Sequence, residues 1–97
     1  MHARVVSMEM LPIDVGEAAR IYQERVLPAA REQEGFRGAF MLTDPDTGEG
    51  LSISFWNSEE DMHASEASGF YHQKLRDLDA FLISTPVRKH YEVSAQG

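Results

Sequence analysis

A chain of 97 residues with 42% apolar side chains holds enough for one packed domain over residues 1–97 and too much for disorder. Its formal net charge of −7, from 16 acidic and 9 basic residues, repels nucleic-acid backbones and anionic membranes, and no Lys/Arg patch reverses the sign locally. Without cysteine there is no disulfide or thiolate metal site, and no apolar run nears the roughly 18 residues that span a bilayer; a soluble cytoplasmic protein that gains stability by self-association is expected.

Residues 3–10 read as a strand, with Val6, Met8 and Met10 on one face and Val5 and Ser7 on the other. Leu11-Pro12-Ile13-Asp14 leads into a helix, in which Asp14 is predicted to cap the N-terminus while Glu17 reaches back as in a capping box. Val15, Ala18, Ala19, Tyr22 and Val26 recur at helical spacing; Pro28 interrupts the helix, which is expected to run to about Gln33 and stop near Gly35. A second strand over 36–43 meets the Asp44-Pro45-Asp46-Thr47-Gly48-Glu49-Gly50 turn signal and a third strand ending at Trp56, which predicts a β-hairpin. Asn57 and Ser58 offer caps, with Glu59, Glu60 and Asp61 in the first turn where the helix dipole favours them. Gly69 suggests a break or a bend. Tyr71, Leu75, Leu78 and Leu82 then form a second helical stripe, Pro86 ends it, and 87–93 alternates as a last strand before a frayed tail over 94–97. The order β-α-β-β-α-β predicts an α+β, ferredoxin-like fold: a four-stranded antiparallel sheet with helices on one face.

Neither face of that sheet reads as polar. Phe36, Phe40 and Leu42 oppose Ala39 and Met41, and Leu51, Ile53 and Phe55 oppose Ser52, Ser54 and Trp56. Packing of two sheets across a two-fold axis would bury the second face, so a homodimer through the Leu51, Ile53 and Phe55 side is expected. Ser52, Ser54 and Trp56 then turn toward the helices of their own subunit. Two serines beside an indole leave room rather than fill it, which is the makeup of a pocket for a small apolar or aromatic ligand.

The stretch EGFRGAFMLTDPDTGEGLSISFWNSEEDMHASEAS, Glu34 to Ser68, resembles the antibiotic biosynthesis monooxygenase family of dimeric α+β barrels, and the likeness extends over essentially the whole chain. The resemblance implies the same fold and homodimer. Its cofactor-free oxygenases, which turn phenolic polyketides into quinones, carry Asn, three residues, then Trp on the third strand, followed by a Tyr and an Arg on the next helix. Trp56 matches and Arg76 falls at the Arg spacing, whereas Ser52 stands at the Asn position and Met62 at the Tyr position. The haem-degrading members use an Asn, a second Trp and a helix His, where this chain has Ser7, Ser65 and Lys74; haem degradation is disfavoured.

By this resemblance the expected activity is a monooxygenase without cofactor, acting on a phenol or quinol that is deprotonated and held as an anion away from water. Trp56, Arg76, His72 and His63 are the candidate catalytic residues: the indole stacks on the ring, Arg76 pairs with the anion, and the histidines titrate in the useful range. Ser52, Ser54, Trp56, Met62, Tyr22 and Tyr71 are the candidate substrate-binding residues. The alternatives are a dimeric ligand-binding or accessory protein without chemistry, and a core simply filled by Met62, Tyr22 and leucines. No metal site is expected, because His2, His63, His72 and His90 show no ligand spacing and no Glu completes a calcium loop after Asp44.

Overall fold

The computed structural model describes residues 1–97. The strands are β1 (His2–Glu9), β2 (Phe36–Thr43), β3 (Glu49–Trp56) and β4 (Val87–Glu92), in the sheet order β2-β3-β1-β4 with every neighbouring pair antiparallel. The helices α1 (Val15–Ile21), α2 (Leu27–Ala30), α3 (Glu59–Ala67) and α4 (Phe70–Asp79) complete a ferredoxin-like βαββαβ topology. No helix is long and apolar enough to cross a membrane.

The first helical segment departs from the expected cap. A 3-10 turn over Pro12–Asp14 runs straight into α1, Asp14 makes no side-chain cap, and Glu17 instead pairs with Arg20. Val15, Ala18, Ile21 and Tyr22 are buried while Ala19 is exposed, so Ile21 belongs to the stripe and Ala19 does not. Between α1 and α2 lies one π turn, Tyr22–Val26, closed by the Leu27 amide on the Tyr22 carbonyl. Pro28 has no N–H, and in a regular helix its ring would press on the carbonyl of Glu24; widening the preceding turn relieves that contact without breaking the helix. The inserted residue also carries the inward face on to Val26 and Ala30, which both border the cavity described below. Helical structure stops at Ala30, short of Gln33, and Gly35 follows at φ 79°.

The hairpin closes at Asp44, whose carboxylate accepts the amide of Asp46 at 2.9 Å while its carbonyl accepts that of Gly48 at 2.8 Å. Gly48 has φ 84°, and a Cβ there would collide with the Met10 carbonyl. The Ser58 hydroxyl caps α3 by accepting the Asp61 amide at 3.1 Å. Gly69, left-handed at φ 88°, separates α3 from α4 with open space where a Cβ would stand.

The inner face of the sheet carries Arg4, Val6 and Met8 of β1, opposite Ser54, Ser52 and Gly50 of β3. Val6 and Met8 join Met10, Val15, Ala18, Ile21, Tyr22, Tyr71 and Leu78 in one core. The outer face carries Val5, Ile53, Phe40, Leu42, Leu51 and Tyr91. Phe36 is the exception to the predicted alternation. A β-bulge between Phe36 and Gly38 turns it from the outer set to the inner face, where its ring meets the Trp56 indole edge-on at 5.5 Å.

Candidate functional site

Between the inner sheet face and the helices lies a cavity of about 60 Å³. Strands β1 and β3 supply its floor through Arg4, Ser52, Ser54 and Trp56; Tyr22, Val26 and Ala30 form one wall, and Phe36 and Ala39 another. Phe70, Tyr71, Lys74, Leu75 and Leu78 of α4 roof it. Two or so waters fit such a space, whereas a dry cavity that takes up benzene is about 150 Å³. A ring-sized ligand therefore requires the α4 side chains to give way.

Of the candidate substrate-binding residues, Ser52, Ser54, Trp56, Tyr22 and Tyr71 all border the cavity. Trp56 is fully buried and its indole N–H donates to the Ser54 hydroxyl at 3.0 Å. The Tyr22 and Ser52 hydroxyls are hydrogen-bonded at 2.9 Å. Burial pushes the Tyr22 hydroxyl above the ordinary tyrosine pKa, against the pull of Ser52, and burial does the same to Tyr71. Both are neutral phenols at physiological pH. Met62 is fully buried yet does not border the cavity: it lies behind Arg4, its carbonyl accepting the Ser65 hydroxyl at 2.6 Å.

The candidate catalytic residues other than Trp56 stand elsewhere. His63, His72 and Arg76 are exposed and none borders the cavity. The inward stripe of α3 runs through Met62 and Ser65, and that of α4 through Tyr71 and Leu78, which leaves His63 and His72 one step round toward solvent. Ser7, at the haem branch's Asn position, is exposed on the outer face, whereas Lys74 borders the cavity with its ammonium on Asp77 at 3.2 Å.

The buried cation of the site is Arg4, only 5% exposed. Its guanidinium packs over Tyr71 at 4.7 Å and over Trp56 at 5.3 Å, both within cation–π range. Nη1 donates to the Ser65 hydroxyl at 2.8 Å, to Glu66 Oε2 at 3.2 Å and to the Met62 carbonyl at 3.5 Å. Burial lowers the Arg4 pKa from its ordinary value while Glu66 supports the charge, and a guanidinium stays protonated throughout. Sequence reading of the site passed over Arg4. The available signal was its parity with Val6, Met8 and Met10: a charge in register with a buried stripe is rare unless it is paired.

Glu66 also accepts Arg88 Nη1 at 3.1 Å and meets His90 Nε2 at 2.8 Å. His63, Glu66 and His90 bring ligand atoms within 4.8 Å of one another, a meeting of α3 with β4 that sequence spacing alone does not show. A cation there would have to draw Glu66 away from two guanidinium groups.

The sequence profile of the antibiotic biosynthesis monooxygenases matches residues 1–82. No curated protein sequence matches the chain. Among solved structures, a monooxygenase from the gene ActVA-Orf6 of Streptomyces coelicolor, in complex with the ligand nanaomycin D, is similar with a TM-score of 0.81 at 18% identity, over 98% of this chain and 88% of that one. The NE2512 protein of unknown function from Nitrosomonas europaea gives 0.79 at 20% identity, over 99% and 91%. SnoaB, a cofactor-independent oxygenase from Streptomyces nogalater, gives 0.74 at 15%, over 98% and 95%. These likenesses establish a shared fold, and with the profile match over most of its length the chain belongs to the antibiotic biosynthesis monooxygenase family.

Proposed function

We propose that the protein is a small cofactor-independent monooxygenase that oxidises a phenol- or quinol-type aromatic in the cavity between sheet and helices. The observation that carries this reading is the cavity itself: an apolar enclosure walled by Trp56, with a hydroxyl pair and one buried guanidinium. Family membership and the activities of the similar oxygenases support it. In the reaction the ring loses a C–H hydrogen and its phenolic hydrogen, gains one atom of O₂ as a carbonyl oxygen, and releases the other as water. The substrate supplies all the electrons. Trp56 stacks against the ring, the Tyr22–Ser52 pair donates to a ring oxygen, and Arg4 takes the anion-pairing role that the family spacing gives to Arg76. Oxygen uptake with a panel of hydroquinones and naphthols tests this, with one water and one quinone formed per O₂. Uptake is expected to fall at least about tenfold in Trp56→Phe and in Arg4→Gln; equal rates in both variants would remove the reading.

A non-catalytic binding role is the second reading, favoured by the absence of any carboxylate or imidazole among the cavity-lining residues. Tight binding of an aromatic without oxygen uptake across the panel selects it. In either role we propose that the subunits pair through the outer sheet face, where Phe40 is 61% and Tyr91 50% exposed.

A further inference from the structure

We infer that the cavity binds its ligand as an organic anion, an aromatic already ionised at neutral pH, such as a carboxylate or an acidic phenolate. This deepens the oxygenase reading by naming the charge of its substrate, and rests on the same cavity.

The donor geometry of Arg4 comes first. All its hydrogen bonds leave from Nη1, so Nε and Nη2 have no partner in the protein. Neither is sealed away from water-sized space, because the only fully buried side-chain polar atom without a partner is His2 Nδ1. Arg4 is one of the residues that line the cavity. With the Tyr71 and Trp56 rings within cation–π range, the guanidinium keeps Nε and Nη2 free to donate, and that edge suits a carboxylate or phenolate oxygen.

The local charges do not balance. Arg4 and Arg88 both rest on Glu66, two cations on one carboxylate, which leaves one positive charge over. His90, also on Glu66, adds to that surplus when protonated and subtracts nothing when neutral. The other cation at the cavity, Lys74, already has Asp77. Tyr22 and Tyr71 stay neutral because burial raises their pKa, so neither supplies the missing negative charge. No aspartate or glutamate borders the cavity. A buried charge is tolerated best when paired, and a bound anion completes this set.

The same lining contains no histidine or carboxylate to remove a proton from a neutral phenol. A ligand whose phenol arrives ionised needs none, and one that is anionic through a carboxylate is held by the same edge of Arg4. Nor does the surface gather anions in general, since the chain carries a net charge of −7. Selection by charge is local to the cavity.

The test compares two probes of one shape, 4-ethylbenzoate and the neutral 4-ethylbenzamide, followed through the emission of Trp56, the only tryptophan, and confirmed by calorimetry. The expected result is at least about tenfold tighter binding of the carboxylate, a preference lost in Arg4→Gln and kept in Arg4→Lys. Equal affinities in the wild type, no binding of either probe, or a preference that survives Arg4→Gln overturns the inference; the wild-type comparison decides even where a variant fails to fold. No oxygen chemistry enters the titration. A protein that oxidises neutral phenols yet ignores the benzoate keeps the oxygenase reading and loses this one, and a charge-selective protein with no oxygen uptake does the reverse.

Discussion

Arg4 is the only charged side chain among the buried residues, and its partners are unequal in what they lose if the pair is broken. Remove Arg4 and Glu66 still has Arg88 and His90. Remove Glu66 and Arg4 loses its one anionic partner, keeping a serine hydroxyl, a long contact to a carbonyl and the two aromatic faces. Glu66→Leu is therefore expected to destabilise the fold by on the order of 3 kcal/mol, and Arg4→Leu by clearly less, as read by denaturant unfolding. The buried phenols give a pH dependence with a definite sign. Tyr22 and Tyr71 have folded pKa values raised above the ordinary 10, so the unfolded chain gives up its protons first as pH rises. Their contribution is complete below pH 10 and is lost above it. Urea midpoints are expected to fall as the pH rises above 10, and to fall less steeply in Tyr22→Phe. Legibility at this scale followed parity: Ser52, Ser54 and Trp56 were placed correctly on the helix side because a strand alternates strictly, while His63, His72 and Arg76 were chosen for chemistry or family spacing and lie in solvent.

Secondary elements were read well wherever a local rule had no tertiary competitor. The hairpin, the Ser58 cap and the Gly69 break all follow from residue type and spacing, and Ser58→Ala is expected to cost about 1 kcal/mol in thermal or denaturant unfolding. Gly48→Ala is expected to cost more, because the left-handed backbone and the Met10 carbonyl both oppose a Cβ. Three features resisted reading. The Asp14–Glu17 capping box gave way to a 3-10 turn and to Arg20, which competes for Glu17 from the next turn. The π turn before Pro28 shifts the helix face by one residue, which no fixed 3.6-residue period anticipates. The bulge beside Gly38 reversed the side of Phe36 and so changed the cavity wall. Each inserts or reassigns one residue, and a one-residue change is enough to move a side chain to another face.

At the scale of the molecule, the sheet is covered on one side only. Phe40, Leu42, Leu51, Val87 and Tyr91 are all exposed on the other, around a groove of about 440 Å³ that Leu42, Leu51 and Val87 help to line. A contiguous apolar face of this kind on a small acidic chain fits a self-complementary pairing about a two-fold axis. Phe40→Asp is expected to shift the sedimentation coefficient from that of a pair to that of a single subunit, and to make the melting temperature of the wild type, unlike the variant, rise with concentration. The cavity opens on the opposite side of the sheet, so ligand binding in that variant is expected to persist wherever the lone subunit stays folded.

Gly69 has a kinetic consequence. It joins α3 to α4 through a left-handed residue with nothing around its missing side chain, and α4 brings five cavity-lining residues, from Phe70 to Leu78. Because the space of about 60 Å³ is smaller than a benzene ring needs, entry of a ring-sized probe is expected to require α4 to move about that residue and to run slower than diffusional encounter. In stopped-flow mixing, the observed rate is therefore expected to level off as probe concentration rises, with a plateau that reports the opening of the helix rather than the chemistry of whatever enters.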